Sequence, residues 1–249
     1  MNKSTAYVTA FLTKLDRVKR PTKLLAIVTA TVFLVSLLAV FEITNSQNMT
    51  PSTSSNHDPI RVACVWDSII AISGYPSELQ SLLGPKYTVG NFGVNGATVS
   101  LHSWKPYMYQ PEFQNALAFD PDIVIIMLGT NDDLMALHQY NESFEDDYVK
   151  LITSFQQIQN NPDILIAKSP PIFSNRTDLN ATYLTDTIIP KTENLADRMN
   201  LPVIDVYSAF EHQTDYFVDG VHPNSQGASV IASEVYNTMD SIYDLSRTP

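Results

Sequence analysis

Cysteine is almost absent from this sequence, which contains only Cys64. A single cysteine excludes any disulfide within the chain. Cys64 lies in an apolar run, and the adjacent sequence offers no basic side chain that would lower the pKa of its thiol. We therefore expect Cys64 to be a small buried core residue and not a nucleophile.

Basic residues are also scarce, with 15 Lys and Arg against 26 Asp and Glu and a net charge of −11. They are concentrated at the N-terminus, where residues 1–23 carry a net charge of +5 and leave −16 for the rest of the chain. An acidic domain lacks the clustered cations that phosphate backbones require. The composition therefore argues against a nucleic-acid partner and fits a domain that acts on neutral or small substrates.

The one long apolar run covers residues 24–41, which contain no charged side chain. As a helix it would span about 27 Å, close to the thickness of the hydrocarbon layer. The preceding basic segment predicts that residues 1–23 are cytoplasmic and that the domain is extracellular or lumenal. We favour an uncleaved signal anchor over a cleaved signal peptide, which would give a secreted protein, because no clear A-x-A cleavage site follows.

A polar linker, 42–58, separates this anchor from the domain, which we assign to residues 59–249. Four N-x-Ser/Thr sequons agree with an exterior position and predict a glycoprotein. They begin at Asn48, Asn141, Asn175 and Asn180.

The domain alternates short apolar runs with amphipathic segments, which predicts a parallel sheet with helices on both faces. The predicted strands are IRVACVW, KYTVGNFG, PDIVIIMLG, PDILIAKSP and LPVIDVYS. Helices are predicted over YPSELQSLLG, PEFQNALAF, NESFEDDYVKLITSFQQIQ, roughly 183–199 and 224–241. In a doubly wound sheet of this kind the site lies beyond the carboxyl ends of the strands.

Polar residues with catalytic chemistry follow these strands. Ser68 comes directly after the first strand and needs a neighbouring base to act as a nucleophile. The backbone N–H groups of Ser68 and Gly96 and the side-chain amide of Asn131 could together donate to an oxyanion. Taken singly, each has a structural alternative: a helix cap, a turn glycine and an Asx turn. Asp67, next to the serine, is expected to be a capping or turn carboxylate.

The last loop contains Asp219 and His222, three residues apart in FVDGVHPN. A carboxylate at this spacing can hold one imidazole nitrogen and leave the other free to take a proton from a nucleophile. Together with Ser68 they would form a Ser-His-Asp relay. No G-x-S-x-G motif is present, which argues against the α/β-hydrolase fold.

These four segments, in this order, resemble the blocks of the SGNH hydrolases, the GDSL-type esterase and lipase superfamily. VWDSI is similar to the serine block, NFGVNGAT to the glycine block, IMLGTND to the asparagine block and DGVHPN to the Asp-x-x-His block. The resemblance covers roughly 60–243 and looks most like the carbohydrate-esterase branch. It implies a flavodoxin-like α/β/α sandwich with a five-stranded parallel sheet, and assigns Ser68, His222 and Asp219 as the triad and Gly96 and Asn131 as oxyanion donors.

The chain departs from the family pattern at Trp66, where glycine is usual. If that position needs a positive φ or a close backbone approach, tryptophan would strain it or displace Ser68. Alternatively, the indole could line or narrow the acyl pocket. The loop SIIAISGYP is also short in comparison with many members of the family, and Ile70 stands where threonine is common in the family.

We therefore expect a membrane-anchored serine esterase that needs no metal or organic cofactor and removes a short acyl group, such as acetyl, from a carbohydrate. A lysophospholipase or thioesterase is the alternative within the superfamily. A surface glycan-binding domain without activity is the alternative from another class. His102, Trp104 and Tyr107 follow the glycine block, where they could stack on a sugar or simply pack in the fold. The oligomeric state is left open.

Overall fold

The computed structural model describes residues 58–69, 74–174 and 178–245. These residues belong to one compact unit, which begins at Asp58. At its centre is a five-stranded sheet in which every pairing is parallel. The strands are β1 (Ile60–Trp66), β2 (Tyr87–Asn91), β3 (Ile123–Met127), β4 (Asp163–Ala167) and β5 (Val203–Ile204).

The strand order is β2-β1-β3-β4-β5. This is the flavodoxin-like order, in which the direction of winding reverses between β1 and β3. The register pairs Trp66 with Met127, so that β1 and β3 end side by side. The predicted parallel sheet of five strands is confirmed.

Helices cover both faces of the sheet. Their bounds are α1 (Tyr75–Leu83), α2 (Pro111–Ala118), α3 (Phe144–Gln156), α4 (Ile189–Met199), α5 (Val206–Ala209) and α6 (Ser225–Tyr243). Local sequence sets several of these limits: Pro76 and Pro111 lie in first turns, and the Asn224 side chain caps α6 through the N–H groups of Gln226 and Gly227.

The core divides into two clusters because successive strand residues point to opposite faces. Ala63 and Val65 of β1 pack in the cluster that contains α2, α3 and α4, whereas Val62, Cys64 and Trp66 pack in the cluster that contains α1 and α6. Strands buried on both faces need apolar side chains at every position, and β3 has them. This is the predicted three-layer arrangement.

Three segments differ from the predicted elements. β5 has only two residues, because the side chain of Asp205 accepts from the N–H of Ser208 and begins α5. The segment before α4 is already helical at Ala181–Tyr183 and passes through a π-helical turn at Leu184–Ile188. A 3₁₀ segment, Met135–Ser143, precedes α3.

Within the described ranges, every helix is too short or too polar to cross a membrane. The predicted anchor, 24–41, and the linker, 42–58, fall almost entirely outside those ranges. The anchor and the cytoplasmic segment 1–23 therefore stay predictions. The sequons at Asn48 and Asn175 also lie outside the described residues, whereas Asn180 is exposed and Asn141 is half-buried.

Candidate active site

The predicted site residues meet at the carboxyl edge of the sheet. Ser68 lies two residues beyond β1, and the chain after β2 stays bonded to the same strand: Phe92 N–H donates to Cys64 O at 2.9 Å and Val94 N–H to Trp66 O at 3.1 Å. These bonds carry the glycine segment along the end of β1. The loop before α6 supplies Asp219 and His222.

Ser68, His222 and Asp219 form a continuous hydrogen-bonded chain. Ser68 Oγ lies 3.0 Å from His222 Nε2, and His222 Nδ1 lies 2.8 Å from Asp219 Oδ2. The other carboxylate oxygen, Oδ1, accepts the backbone N–H groups of Val221 at 3.0 Å and His222 at 2.8 Å. The carboxylate is therefore fixed by two backbone donors while it holds the imidazole.

The same contacts control the charge of Asp219. Partial burial favours the neutral acid, but the backbone and ring N–H groups of His222 and the backbone N–H of Val221 outweigh it. Together they lower the pKa of Asp219 to about 2. The carboxylate is thus ionised near neutral pH and can stabilise an imidazolium at His222.

Gly220 explains how this short loop is anchored. Its φ is +79°, and a Cβ at this position would lie 2.6 Å from the backbone nitrogen of Ser174. Its carbonyl accepts the N–H of Phe173 at 2.7 Å. Only glycine satisfies both the positive φ and the close backbone approach, so the loop packs directly against the segment after β4.

The glycine and asparagine segments are joined to each other. Asn131 Nδ2 donates to Ala97 O at 3.0 Å, which uses one of its two amide hydrogens and leaves the other for a ligand. Gly96 has a φ of +71°, and a Cβ there would meet only Lys105 Cδ at 4.0 Å. The backbone conformation, and not a lack of space, requires glycine at this position.

Asp132 is a polar residue of this edge that the sequence analysis did not single out. Its carboxylate is buried and accepts the backbone N–H of Val99 at 2.9 Å on one oxygen and of Ser100 at 2.8 Å on the other. Burial nevertheless raises the pKa of Asp132 to about 7, in opposition to those two bonds. The only signal in the sequence is its position directly after Asn131.

Asp67 has the structural role expected of it. It is fully buried, and its Oδ1 accepts the N–H of Ile69 at 3.0 Å, which begins the turn that contains Ser68. Burial raises the pKa of Asp67 to about 6. Asp67 therefore supports the backbone on which the serine is mounted.

Trp66 does not strain the chain, contrary to one of the two expectations. It is absent from the residues with positive φ, and it ends a regular strand. Its indole is fully buried in the core and packs on Tyr75 with ring centroids 4.3 Å apart. Ser68 Oγ still lies 3.0 Å from His222 Nε2, so the tryptophan does not keep the serine away from its predicted partner.

Cys64 lies beside this pair and behaves as a core residue. Its sulfur accepts the Tyr75 hydroxyl at 2.8 Å. Burial raises the pKa of the Cys64 thiol to about 12, against the opposing effect of hydrogen bonding from Tyr75. The expectation of an inert cysteine is confirmed.

The three aromatic side chains after the glycine block have different environments. Tyr107 is fully buried and donates through its hydroxyl to Phe92 O at 2.9 Å, so it packs in the fold. His102 is exposed and stacks on Tyr140 with centroids 5.2 Å apart. Trp104 is 64% exposed and is the one of the three that is free to stack on a ligand.

No group of three or more His, Cys, Asp or Glu in the described part of the chain could hold a metal ion. The polar groups at the edge of the sheet are instead a hydroxyl, an imidazole, carboxylates and N–H donors.

The model of the GDSL-like lipase/acylhydrolase family matches residues 67–230, which contain all five predicted site residues. The chain belongs to the GDSL-like lipase/acylhydrolase family. The predicted superfamily is confirmed.

Curated relatives include an acetylxylan esterase of Xylanibacter ruminicola, which is 34% identical over 201 residues. That alignment covers 70% of this chain and 42% of the relative. The GDSL esterase/lipase CPRD49 of Arabidopsis thaliana is 26% identical over 143 residues, or 49% of this chain and 56% of the relative. The chain thus spans about half the length of the curated relatives it matches.

Several solved structures share the fold. A carbohydrate acetylesterase family member from Sinorhizobium meliloti superposes with a TM-score of 0.59 at 18% identity, covering 74% of this chain and 99% of its own. An aryl esterase of M. smegmatis gives 0.56 at 18% identity over 73% of this chain and 99% of its own. These similarities support the α/β fold of the family.

Proposed function

We propose that this protein is a serine esterase in which Ser68, His222 and Asp219 act as a catalytic relay. The observation that carries the proposal is the unbroken chain of hydrogen bonds from the serine hydroxyl through both imidazole nitrogens to a carboxylate fixed by backbone donors. A serine hydroxyl becomes an effective nucleophile when a positioned base removes its proton. Family membership supports the same chemistry.

In the first half of the reaction, Ser68 Oγ attacks the ester carbonyl carbon while His222 Nε2 accepts the hydroxyl proton. The carbonyl oxygen becomes an oxyanion, which accepts the N–H groups of Ser68 and Gly96 and the free amide hydrogen of Asn131. The C–O bond to the alcohol then breaks, and the imidazolium returns its proton to the leaving oxygen. Asp219 stabilises the imidazolium throughout.

In the second half, water attacks the acyl-serine and gives its proton to His222. A second oxyanion forms at the same donors and collapses, which releases the carboxylic acid and restores the Ser68 hydroxyl. The bond from Asn131 to Ala97 favours this use of the site, because it fixes the amide before the substrate binds. Donors fixed in advance stabilise developing charge without reorganisation.

The substrate we propose is an ester of a short acyl group, such as acetyl, on a carbohydrate. The Xylanibacter relative, an acetylxylan esterase, supports this class. The exposed indole of Trp104, on the loop that follows Gly96, supports it independently, because sugar rings stack on exposed aromatic faces. A lysophospholipase or thioesterase of the same family would prefer a longer acyl chain or a thioester.

The test is hydrolysis of p-nitrophenyl acetate and of acetylated xylo-oligosaccharides by the purified protein and by Ser68→Ala. We expect kcat/KM to fall by about 10³-fold or more, because the variant keeps oxyanion donors but has no nucleophile. Ser81→Ala is the matched control, since Ser81 is exposed on α1 and bonds only to its own helix. Wild-type turnover in a folded Ser68→Ala variant would refute the mechanism.

A further inference from the structure

Lys105 lies directly beside the proposed oxyanion site. Its Cδ is 4.0 Å from the position that a Cβ on Gly96 would occupy, so its aliphatic stem runs along the glycine. The backbone of Lys105 is fixed on both sides: its N–H donates to Ser103 Oγ at 3.0 Å, and its carbonyl accepts the N–H of Thr98 at 3.1 Å. The position of this side chain is therefore determined by the same segment that presents Gly96.

The loop that carries Lys105 is itself tied together. The Thr98 hydroxyl lies 2.5 Å from Ser103 Oγ and bonds to the carbonyl of Ser100 at 3.1 Å. Asp132 holds the backbone of Val99 and Ser100. A lysine on such a loop can meet a ligand without a large loss of backbone entropy.

The ammonium group of Lys105 differs from every other described basic side chain. The partnered ones are Arg61, Lys86, Lys150, Lys168, Lys191 and Arg198, each of which has a carboxylate, a carbonyl or another interaction within the described part of the chain. Among the residues that the structure describes, Lys105 Nζ has no hydrogen bond or ion pair, although the side chain is half-buried.

Such a cation is unexpected in this chain. Beyond residue 23 the sequence carries a net charge of −16, so carboxylates are abundant, yet none pairs with Lys105 within the described ranges. A lysine ammonium gains from a charged acceptor within hydrogen-bond reach. The unpaired charge beside the oxyanion donors indicates that its acceptor arrives with the substrate.

We propose that Lys105 binds a carboxylate of the substrate, next to the ester that Ser68 attacks. This inference rests on the proposed function and narrows its substrate class to esters that carry a negative charge. The carboxylate could belong to the sugar, as in an acetylated uronic acid, or to the acyl group, as in the half-ester of a dicarboxylic acid. Trp104, next to Lys105 and exposed, would cover the face of the sugar in the first case.

The experiment compares matched pairs of charged and neutral esters with the full-length protein. One pair is methyl O-acetyl-glucuronoside and methyl O-acetyl-glucoside, and the other is p-nitrophenyl hemisuccinate and p-nitrophenyl butyrate. We expect the charged member of one pair to have a kcat/KM about 10-fold higher, as a charge-assisted hydrogen bond predicts. The pair that shows this preference identifies the source of the carboxylate.

Substitutions assign the preference to Lys105. In Lys105→Met the charged-to-neutral ratio falls to about one, and in Lys105→Arg part of it remains. Lys86→Met is the matched control, because it removes the same charge at the turn before β2, at the amino ends of the strands. We expect this variant to keep the charged-to-neutral ratio of the wild type. Added salt lowers the ratio in the wild type, since it screens the attraction.

The inference is overturned if the wild-type protein hydrolyses both neutral esters and prefers neither charged partner, or if Lys105→Met keeps the preference. These results leave the proposed esterase intact. If the wild type hydrolyses none of the four esters, the proposed function fails instead. Lys105 is then tested by NMR titration with methyl glucuronoside, methyl glucoside and the succinate and butyrate anions. Binding by the wild type that favours neither methyl glucuronoside nor succinate over its matched partner would refute the subsite.

Discussion

Asp132 links the two segments that carry the proposed oxyanion donors. Its neighbour Asn131 bonds to Ala97, and Asp132 itself accepts the N–H groups of Val99 and Ser100 on separate oxygens. Two adjacent side chains after β3 thus hold the backbone that follows Gly96. Because catalytic donors must be held within a fraction of an ångström of their productive positions, this attachment bears directly on rate.

We predict that Asp132→Asn lowers kcat by about 10²-fold with a smaller change in KM. An asparagine has one acceptor oxygen, so its NH₂ group would face the N–H of Val99 or Ser100 and push that segment away. Steady-state kinetics on p-nitrophenyl acetate measure the effect. Asp146→Asn, which makes the same change at an exposed position of α3, is the control. A wild-type kcat in Asp132→Asn would show that the clamp does not position the donors.

At the scale of elements, the contact between β1 and α1 depends on Trp66. The indole closes the carboxyl end of the strand against Tyr75, the first residue of α1, and both side chains are fully buried. A large side chain at this position therefore belongs to the core. The glycine common in the family would leave a cavity here.

We predict that Trp66→Gly destabilises the protein by about 3–5 kcal/mol and does not raise esterase activity, because it removes a buried aromatic ring and leaves the serine no better placed. Trp66→Phe, which keeps a ring against Tyr75, should lose less. Denaturant unfolding followed by circular dichroism gives the stabilities, and p-nitrophenyl acetate gives the activity. A more active Trp66→Gly would mean that tryptophan impairs the site after all.

Most elements could be predicted from the sequence because each has a strong local signal. The all-apolar run of β3 and the helical stripe of α3 are clear cases, and the stripe is buried from Phe144 to Phe155. β5 was predicted too long because capping by Asp205 ended the strand. The π-helical turn at Leu184–Ile188 has no such local signal.

The site shows the same division. The sequence predicts a set of site residues because each lies in a short motif next to a strand or helix end: Ser68, Gly96, Asn131, Asp219 and His222. Asp132 and Lys105 were missed because their importance depends on contacts between segments. The Asp132 carboxylate accepts a backbone N–H that lies 33 positions earlier in the chain. Lys105 is of interest because its side chain lies beside Gly96 and has no partner among the described residues.

At the scale of the whole molecule, buried carboxylates connect the site to stability. Burial raises the pKa of Asp67 to about 6 and of Asp132 to about 7, from an ordinary value of 3.8. The native state therefore keeps protons on these groups over a range of pH in which the unfolded chain has already lost them. Stability gained in this way is present at about pH 4 and is lost as the pH rises towards 7.

Asp219 acts in the opposite direction. Its pKa is lowered to about 2 in spite of partial burial, because His222 and Val221 donate hydrogen bonds to it. Its contribution is present above the ordinary pKa of 3.8 and is lost as the pH falls towards 2. These two opposing effects place the maximum of their combined contribution just below the ordinary carboxyl pKa of 3.8, at about pH 3.5.

We predict that the thermal midpoint of the wild-type protein decreases as the pH is raised from about 4.5 to about 7.5. The midpoint is measured at a series of pH values at constant ionic strength. Asp132→Asn cannot titrate at this position, so its midpoint should change less over the same range, even if the variant is less stable at every pH. Asp146→Asn should follow the wild-type curve. A buried carboxylate with a raised pKa requires the native state to lose stability as that group ionises. The raised pKa of Asp132 would therefore be contradicted if the wild-type midpoint rose over this range. It would also be contradicted if the midpoint of Asp132→Asn changed with pH as steeply as that of the wild type.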